Sequence, residues 1–208
     1  MNKKHIVTPT FLELLASRQE TVTEERKAQL SGLASVISKN IGENGQAVVK
    51  FICTHNSRRS QAAEFLLDVL AREQDIPIRA LSGGTMHTAF YPSMIDALSN
   101  FGFEIVKFGQ EENPLYIYQI GSLDLYYYSK TYDDNLVEFD NQIIVTVCQS
   151  ANENCPVIPG TYERFHIGYE DPKYSDNTSE EAQVYKDKVV EIGAEIYYLT
   201  SLLSSSSN

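Results

Sequence analysis

The sequence predicts an α/β fold: a central, four-stranded, mostly parallel twisted sheet with helices on both faces. Two observations carry this prediction. Short apolar segments rich in β-branched residues alternate with segments of helical spacing, which is typical of βαβ units. The strand segments are apolar along most of their length, as expected for strands that helices cover on both faces. A helical extension at the N-terminus and a β-hairpin insertion complete the expected fold.

The domain organisation follows from length and composition. The 208 residues show no break in composition, so we expect one domain with an attached extension, not two separate cores. The extension spans residues 1–45 and the α/β domain residues 46–208, with an insertion at about residues 111–139. Three roles are open for the extension and for the Tyr-rich segment 115–128: packing on the sheet, a homodimer interface, or a wall of the binding pocket.

The extension contains two predicted helices. Phe11, Leu14 and Leu15 mark a short first helix. Thr21 and Glu24 have the spacing of a capping box, which predicts the start of the second helix. Its apolar residues recur at steps of three and four and form one face: Leu30, Leu33, Ile37 and Ile41.

The α/β domain begins with a predicted buried strand at residues 47–53, and residues 62–70 then show helical spacing. Strand, loop and helix therefore follow one another. The other predicted elements are a strand at 78–81 ending at 82–84, a helix at 92–100, a strand or extended lead at 103–108, a β-hairpin at 115–128, a buried strand at 142–148, and a final helix from about 179 to 203.

The charge balance excludes several function classes. A formal net charge of −11 argues against a nucleic acid or an anionic membrane as partner, because such surfaces need clustered Lys and Arg. No apolar run is long enough to span a bilayer, and polar residues follow the first lysines where a secretory signal would be apolar. We therefore expect a cytoplasmic protein, in which an anionic substrate would need a local cationic pocket.

The chain has three cysteines, Cys53, Cys148 and Cys155. This sparse, odd set does not resemble the disulfide framework of a secreted mini-domain. In a reducing compartment their open roles are packing, metal binding and redox chemistry.

The chemistry is carried by one loop between the first strand and a helix, Cys53-Thr54-His55-Asn56-Ser57-Arg58-Arg59-Ser60. Backbone N–H groups in such a loop, with the positive end of the following helix, bind a tetrahedral oxyanion. Arg59 offers a planar fork of donors to two oxygens of that anion. The same groups favour the thiolate of Cys53, to which Ser60 can donate. We expect a Cys53 nucleophile and an anion bound by residues 54–59.

Simpler explanations stand beside this one. A cysteine that ends a strand is often just a small buried residue, and a C-x5-R-S pattern also arises by chance. The position between a clear strand and a clear helix favours the anion-binding loop. Arg58 either adds a second cation beside the anion or pairs with an acidic neighbour, and His55 is either a pH-sensitive neighbour of the site or a surface residue.

The pattern Cys53-x5-Arg59-Ser60 after the first strand resembles the low-molecular-weight protein tyrosine phosphatases and their relatives, the thioredoxin-coupled arsenate reductases. The resemblance implies that Cys53 is the nucleophile, that Arg59 binds the oxyanion, and that an aspartate before a late proline is the general acid. Asp171 precedes Pro172 and matches that position, with the adjacent Glu170 as a competing acid. No metal or organic cofactor is implied.

Two further segments are similar to the arsenate reductases. Cys148 and Cys155 lie seven residues apart after a strand and end in Asn-Cys-Pro, and residues 166–172 match the segment that carries the aspartate. The resemblance implies that the Cys53 thiolate attacks arsenate while Asp171 protonates the departing oxygen. Cys148 then attacks Cys53 and releases arsenite, and Cys155 takes over the disulfide, which a thioredoxin-like reductant opens.

A geometric condition applies to the pair. A regular helix over residues 148–155 would separate the two Cα atoms by about 10.5 Å, beyond the roughly 7 Å that a disulfide allows. Forming Cys148–Cys155 therefore requires a loop or a helical turn that unwinds.

The main alternative is a phosphatase that hydrolyses phosphotyrosine or small phosphoesters through a cysteinyl-phosphate. Cys53, Arg59 and Asp171 keep their roles in it, while Cys148 and Cys155 are redox-inert or protect Cys53 by a reversible disulfide. A third alternative, a non-catalytic anion-binding module, is disfavoured because nucleophile, arginine and acid are all present.

Overall fold

The computed structural model describes residues 5–134, 139–154 and 157–205. Its helices are α1 (Pro9–Arg18), α2 (Glu24–Asn44), α3 (Arg59–Glu73), α4 (Pro92–Ser99), α5 (Gln149–Asn154) and α6 (Glu181–Ser205). Its strands are β1 (Ala47–Cys53), β2 (Ile78–Gly84), β3 (Ile105–Phe108), β4 (Leu115–Ile120), β5 (Leu123–Tyr127), β6 (Gln142–Thr146) and β7 (Thr161–His166). Short 3-10 turns cover Gln19–Thr21 and Pro172–Ser175.

The main sheet has four strands in the order β2-β1-β6-β7, and every neighbouring pair is parallel. All residues of β1 and β6 are buried, which fits the apolar segments that predicted them. The predicted four-stranded α/β fold is confirmed. Because the strands are parallel, the carboxyl ends of β1, β2 and β6 meet at one edge of the sheet, where α/β folds place their ligand sites.

The N-terminal helices pack into the same hydrophobic core as the sheet. Phe11 and Leu15 of α1 are buried against α6, where a Cβ added at Gly193 would lie 2.9 Å from a Leu15 methyl carbon. On the apolar face predicted for α2, Leu30, Leu33 and Ile37 are buried and Ile41 is half-buried. Helix α6 is 25 residues long, yet among the described residues no helix combines the length and apolarity needed to cross a membrane.

The predicted capping box of α2 is wrong by two residues. Thr21 ends the 3-10 turn that extends from α1, and its hydroxyl donates to the Arg18 carbonyl. Helix α2 begins only at Glu24, so the cap is Thr23, whose Oγ1 accepts from the N–H of Arg26 at 3.2 Å. A threonine immediately before the first helical residue satisfies an N–H that the helix leaves free.

The insertion forms a second, antiparallel sheet in the order β3-β4-β5. Gly121 supplies a left-handed residue (φ 62°) in the two-residue turn that joins the paired Ile120 and Leu123. The predicted hairpin is thus present, and residues 105–108 add a third strand. Three tyrosines on the inner face are buried in the core: Tyr116, Tyr118 and Tyr127.

After β5 the chain returns to the main sheet beside the end of β2. The N–H of Gly84 donates to the Lys130 carbonyl, and the N–H of Tyr132 donates to the Gly84 carbonyl, at 2.9 and 3.0 Å. A Cβ at Gly83 would lie 2.7 Å from the Cα of Tyr132, so only glycine permits this approach. The insertion is therefore anchored at the edge of the sheet where Cys53 lies.

Candidate active site

The predicted loop, residues 53–60, begins at the last residue of β1 and ends in the first turn of α3, so residues 54–58 connect the two elements. Asn56, at the centre, has the left-handed conformation (φ 46°), which asparagine tolerates better than most residues. Gly84 closes one side of the loop. A Cβ there would lie 2.3 Å from the Met86 carbonyl oxygen and 2.8 Å from the Asn56 nitrogen.

The Cys53 side chain lies beneath the loop and is only 4% exposed. Its Sγ lies 3.0 Å from the hydroxyl of Ser60, which in turn accepts a hydrogen bond of 2.9 Å from the Asn56 amide. Within the described residues, the N–H groups of residues 55–58 donate to no protein acceptor. They are therefore available to an anion seated beside the sulfur at the start of α3.

Arg59 spans the loop and the segment after β7. One Nη donates to the Tyr169 carbonyl at 2.9 Å, and the other pairs with the carboxylate of Asp171. Its Nε is buried and has no hydrogen-bond partner in the described part of the chain. This N–H, together with the second hydrogen on each Nη, is available to an oxyanion.

The structure distinguishes the two adjacent acids. The carboxylate of Asp171 pairs with Arg59 and caps the 3-10 turn by accepting from the N–H of Lys173 at 3.1 Å. Glu170 is exposed, and no hydrogen bond or ion pair joins it to another described residue. Asp171 is thus the carboxyl group that lies at Arg59.

Cys148 lies two residues after β6 and is 4% exposed. Its Sγ accepts from the N–H of Ala151 at 3.4 Å and lies 3.5 Å from the hydroxyl of Thr54, the residue after Cys53. One threonine side chain therefore connects the second cysteine to the loop. Cys155, predicted to complete the relay, lies outside the described residues.

Arg58 makes its side-chain contacts outside the loop. Its guanidinium donates to the Tyr185 hydroxyl and to the Asp176 carboxylate, both at 2.5 Å, and its Cζ lies 3.8 Å from the centre of the Tyr91 ring. These contacts fix the loop to α6. His55 points to solvent, while its carbonyl accepts from the Ser129 hydroxyl at 3.1 Å.

Sequence reasoning missed a buried polar cluster beneath the loop. The Asn56 amide also donates to the Ser82 hydroxyl at 2.7 Å, and Ser82 donates to the Glu64 carboxylate at 2.5 Å. Glu64 forms an ion pair with Lys130 at 3.3 Å, although both side chains are at most 5% exposed. A lysine and a glutamate are rarely buried unless paired, but neither position stands out from its neighbours in sequence.

Comparisons with known proteins agree with the geometry. No family model matches the chain. An arsenate reductase of Halalkalibacterium halodurans is 30% identical over 151 residues, which cover 72% of this chain and 91% of that protein. The chain belongs to the arsenate reductase family. Arsenate reductase 2 of Staphylococcus epidermidis is 29% identical over 125 residues, which cover 60% of this chain and 77% of that protein.

Solved structures show that this chain has the fold of the low-molecular-weight phosphatases. The low-molecular-weight protein tyrosine phosphatase of Bacillus subtilis aligns with a TM-score of 0.54 at 17% identity, covering 77% of this chain and 99% of that one. A low-molecular-weight phosphotyrosine phosphatase of Vibrio cholerae aligns with a TM-score of 0.53 at 17% identity, covering 78% and 99%. The predicted superfamily and its fold are confirmed.

Proposed function

We propose that the protein reduces arsenate, with Cys53 as nucleophile and Cys148 and Cys155 as a disulfide relay to a thioredoxin-like reductant. The observation that carries this proposal is the position of Cys148. Its sulfur lies 3.5 Å from the hydroxyl of Thr54, and Thr54 is the residue that follows Cys53 in the sequence. Hydrolysis of a phosphoester needs the loop, the arginine and the acid, but it needs no second thiol at this place.

The first step uses the loop. Arsenate sits on the free N–H groups of residues 55–58 and takes the place of the Asp171 carboxylate at Arg59. Asp171, protonated once that ion pair is broken, gives its proton to the departing oxygen while the Cys53 thiolate attacks arsenic. The product is a covalent Cys53–arsenic adduct and water. Because Asp171 already lies at Arg59, acid and oxyanion meet at one guanidinium.

The second step is the reduction. The Cys148 thiolate attacks the Cys53 sulfur, the electron pair of the sulfur–arsenic bond passes to arsenic, and arsenite leaves. Cys155 then attacks Cys148, frees Cys53 as a thiolate, and leaves the Cys148–Cys155 disulfide for the reductant to open. We also propose a cytoplasmic location, because this cycle needs a reducing compartment.

The test compares two reactions in one set of variants. Wild type, Cys148→Ser and Cys155→Ser are assayed with arsenate and a thioredoxin system, and separately with p-nitrophenyl phosphate. Both variants should lose repeated arsenate turnover while any phosphoester hydrolysis persists, and Cys53→Ser should lose both reactions.

Undiminished arsenate turnover in both variants would exclude the relay. Rapid phosphoester hydrolysis by a wild-type protein that does not reduce arsenate would support the phosphatase alternative, in which the same Cys53, Arg59 and Asp171 act on a phosphate.

A further inference from the structure

A continuous chain of hydrogen bonds joins the nucleophile to a buried ion pair. From Cys53 it runs through Ser60, Asn56 and Ser82 to Glu64, with heavy-atom distances of 3.0, 2.9, 2.7 and 2.5 Å. The Lys130 ammonium ends the chain, 3.3 Å from a Glu64 oxygen. Buried polar groups in such a chain depend on one another, because each hydrogen has one acceptor.

Counting hydrogens fixes the direction of every bond. The Asn56 amide has two hydrogens, and it spends one on Ser60 and the other on Ser82. Each serine hydroxyl therefore accepts from Asn56 and directs its own hydrogen away from it. The Ser82 hydrogen goes to the Glu64 carboxylate, and the Ser60 hydrogen goes to the Cys53 sulfur. A hydroxyl that donates in this way stabilises the thiolate over the thiol.

Lys130 fixes this arrangement from two sides. Its backbone N–H donates to the Asn56 side-chain oxygen at 2.8 Å, and an N–H cannot accept, so the amide cannot turn over. Its ammonium is the counterion of Glu64, and both side chains are almost completely buried. A buried carboxylate without that partner would take up a proton and would no longer be a pure acceptor for Ser82.

The insertion brings Lys130 to this position. Lys130 follows β5 by three residues, and its carbonyl accepts from the N–H of Gly84 at the end of β2. The preceding Ser129 donates to the His55 carbonyl in the loop itself. The Tyr128 ring lies 4.9 Å from the ammonium. The cavity beside the ion pair is also lined by charged groups on α3, β2 and β5: Asp68, Arg72, Arg79 and Asp124.

We propose that Lys130 is a positioning residue for the nucleophile: by holding Glu64 as a carboxylate, it keeps Ser82, Asn56 and Ser60 oriented so that Ser60 donates to the Cys53 thiolate. The inference rests on Cys53 being the nucleophile of the proposed function. The insertion then has a role in catalysis, because it supplies the Lys130 ammonium.

The experiment measures the thiolate directly. The rate of iodoacetamide alkylation at Cys53, resolved from the other cysteines by peptide mass spectrometry, is followed against pH. Lys130→Met should raise the pH of half-maximal rate by about 1, which is about tenfold slower alkylation below the midpoint, the scale of one charge-assisted hydrogen bond. Lys107→Met, on the exposed edge of the same small sheet, should leave the profile unchanged.

A second variant separates this role from packing. Adding Glu64→Gln to Lys130→Met removes both buried charges and leaves an amide oxygen that accepts from Ser82, so the midpoint should return most of the way to that of wild type. A midpoint raised as far in the double variant as in the single one, or unchanged in a folded Lys130→Met, would overturn the proposal. If Lys130→Met does not fold, Ser82→Ala decides, because it cuts the chain and keeps the ion pair; an unchanged midpoint there also overturns it.

Alkylation reports the thiolate whichever oxyanion the protein uses. Failure of the arsenate assay with a clear Lys130 effect on alkylation would therefore reject the proposed substrate and keep the positioning role. The reverse result would keep the substrate and reject the role of Lys130.

Discussion

Asp68 offers a sharp test of the buried polar region, because its carboxyl group titrates near neutral pH. The side chain is 7% exposed on α3 and accepts a hydrogen bond of 3.1 Å from Tyr127. Burial, and after it the charge of Glu64, raises the pKa of Asp68 from 3.8 to about 7, against the opposing effects of Arg72 and the Tyr127 hydrogen bond. The folded protein therefore holds this proton more tightly than the unfolded chain does.

The sign of the pH dependence follows from proton binding. Between about pH 4 and pH 7 the folded state keeps the Asp68 proton and the unfolded state loses it, so the free energy of unfolding decreases as pH rises. A pKa difference of 1 between the two states corresponds to about 1.4 kcal/mol. The decrease in the free energy of unfolding caused by Asp68 therefore reaches about 4 kcal/mol above pH 7. Asp68→Asn removes the titration and keeps an oxygen for the Tyr127 hydroxyl.

Urea unfolding of wild type and Asp68→Asn over this pH range measures the effect. The free energy of unfolding of the variant relative to wild type should increase by up to about 4 kcal/mol from about pH 4 to about pH 8. Asp96→Asn, at an exposed position on α4, should follow wild type throughout. Parallel curves for Asp68→Asn and wild type would refute the reasoning, because they would mean that Asp68 ionises in the folded state as easily as in water.

Two further predictions concern the loop and the acid. Gly84→Ala places a Cβ 2.3 Å from a backbone oxygen, so the free energy of unfolding, measured by thermal unfolding, should decrease by roughly 3 kcal/mol or more. In Gly42→Ala the new Cβ meets nothing within 4 Å in α2, so the free energy of unfolding should increase by about 0.5–1 kcal/mol. Equal stability of the two variants would contradict the close contact at the loop. Asp171→Asn should lower kcat about 10²- to 10⁴-fold with a smaller effect on KM, and Glu170→Gln should behave as wild type; the opposite ranking would identify Glu170 as the acid.

Most of the fold could be predicted because its central elements are buried. Strands β1 and β6 are apolar along most of their length, and the helices carry apolar faces, so the local sequence shows that these elements are buried. The fourth strand of the sheet, β7, is expected from the fold class, but no local pattern locates it. It lies at the edge beside β6, and its residues are mostly exposed or half-buried, so Thr161–His166 carries neither an apolar run nor a clean alternation. Its strand structure comes from pairing, which sequence does not show.

The same limit applies to the site. Cys53, Arg59 and Ser60 lie within eight consecutive residues, so their joint presence is visible in the sequence. Lys130 and Glu64 meet only because the insertion returns to the end of β2, and their pairing depends on that long-range contact. A lysine that follows a strand, in a segment of mixed polar and apolar residues, gives no signal of burial. Contacts between distant segments determine how Cys53 is held, whereas the local sequence pattern is enough to locate it.

Helix α5 bears on the proposed fate of the Cys53 sulfur. It occupies Gln149–Asn154, and the proposed relay passes the disulfide from Cys53–Cys148 to Cys148–Cys155. A regular helix over residues 148–155 would hold those two Cα atoms about 10.5 Å apart, so the exchange needs a loop or an unwound turn. A helix of six residues is marginal without tertiary packing, and here Ala151 is its one buried residue. Unwinding it exposes little apolar surface, so the free-energy cost is small compared with that of opening α3 or α6. In the proposed relay, α5 is therefore easier to rearrange than α3 or α6.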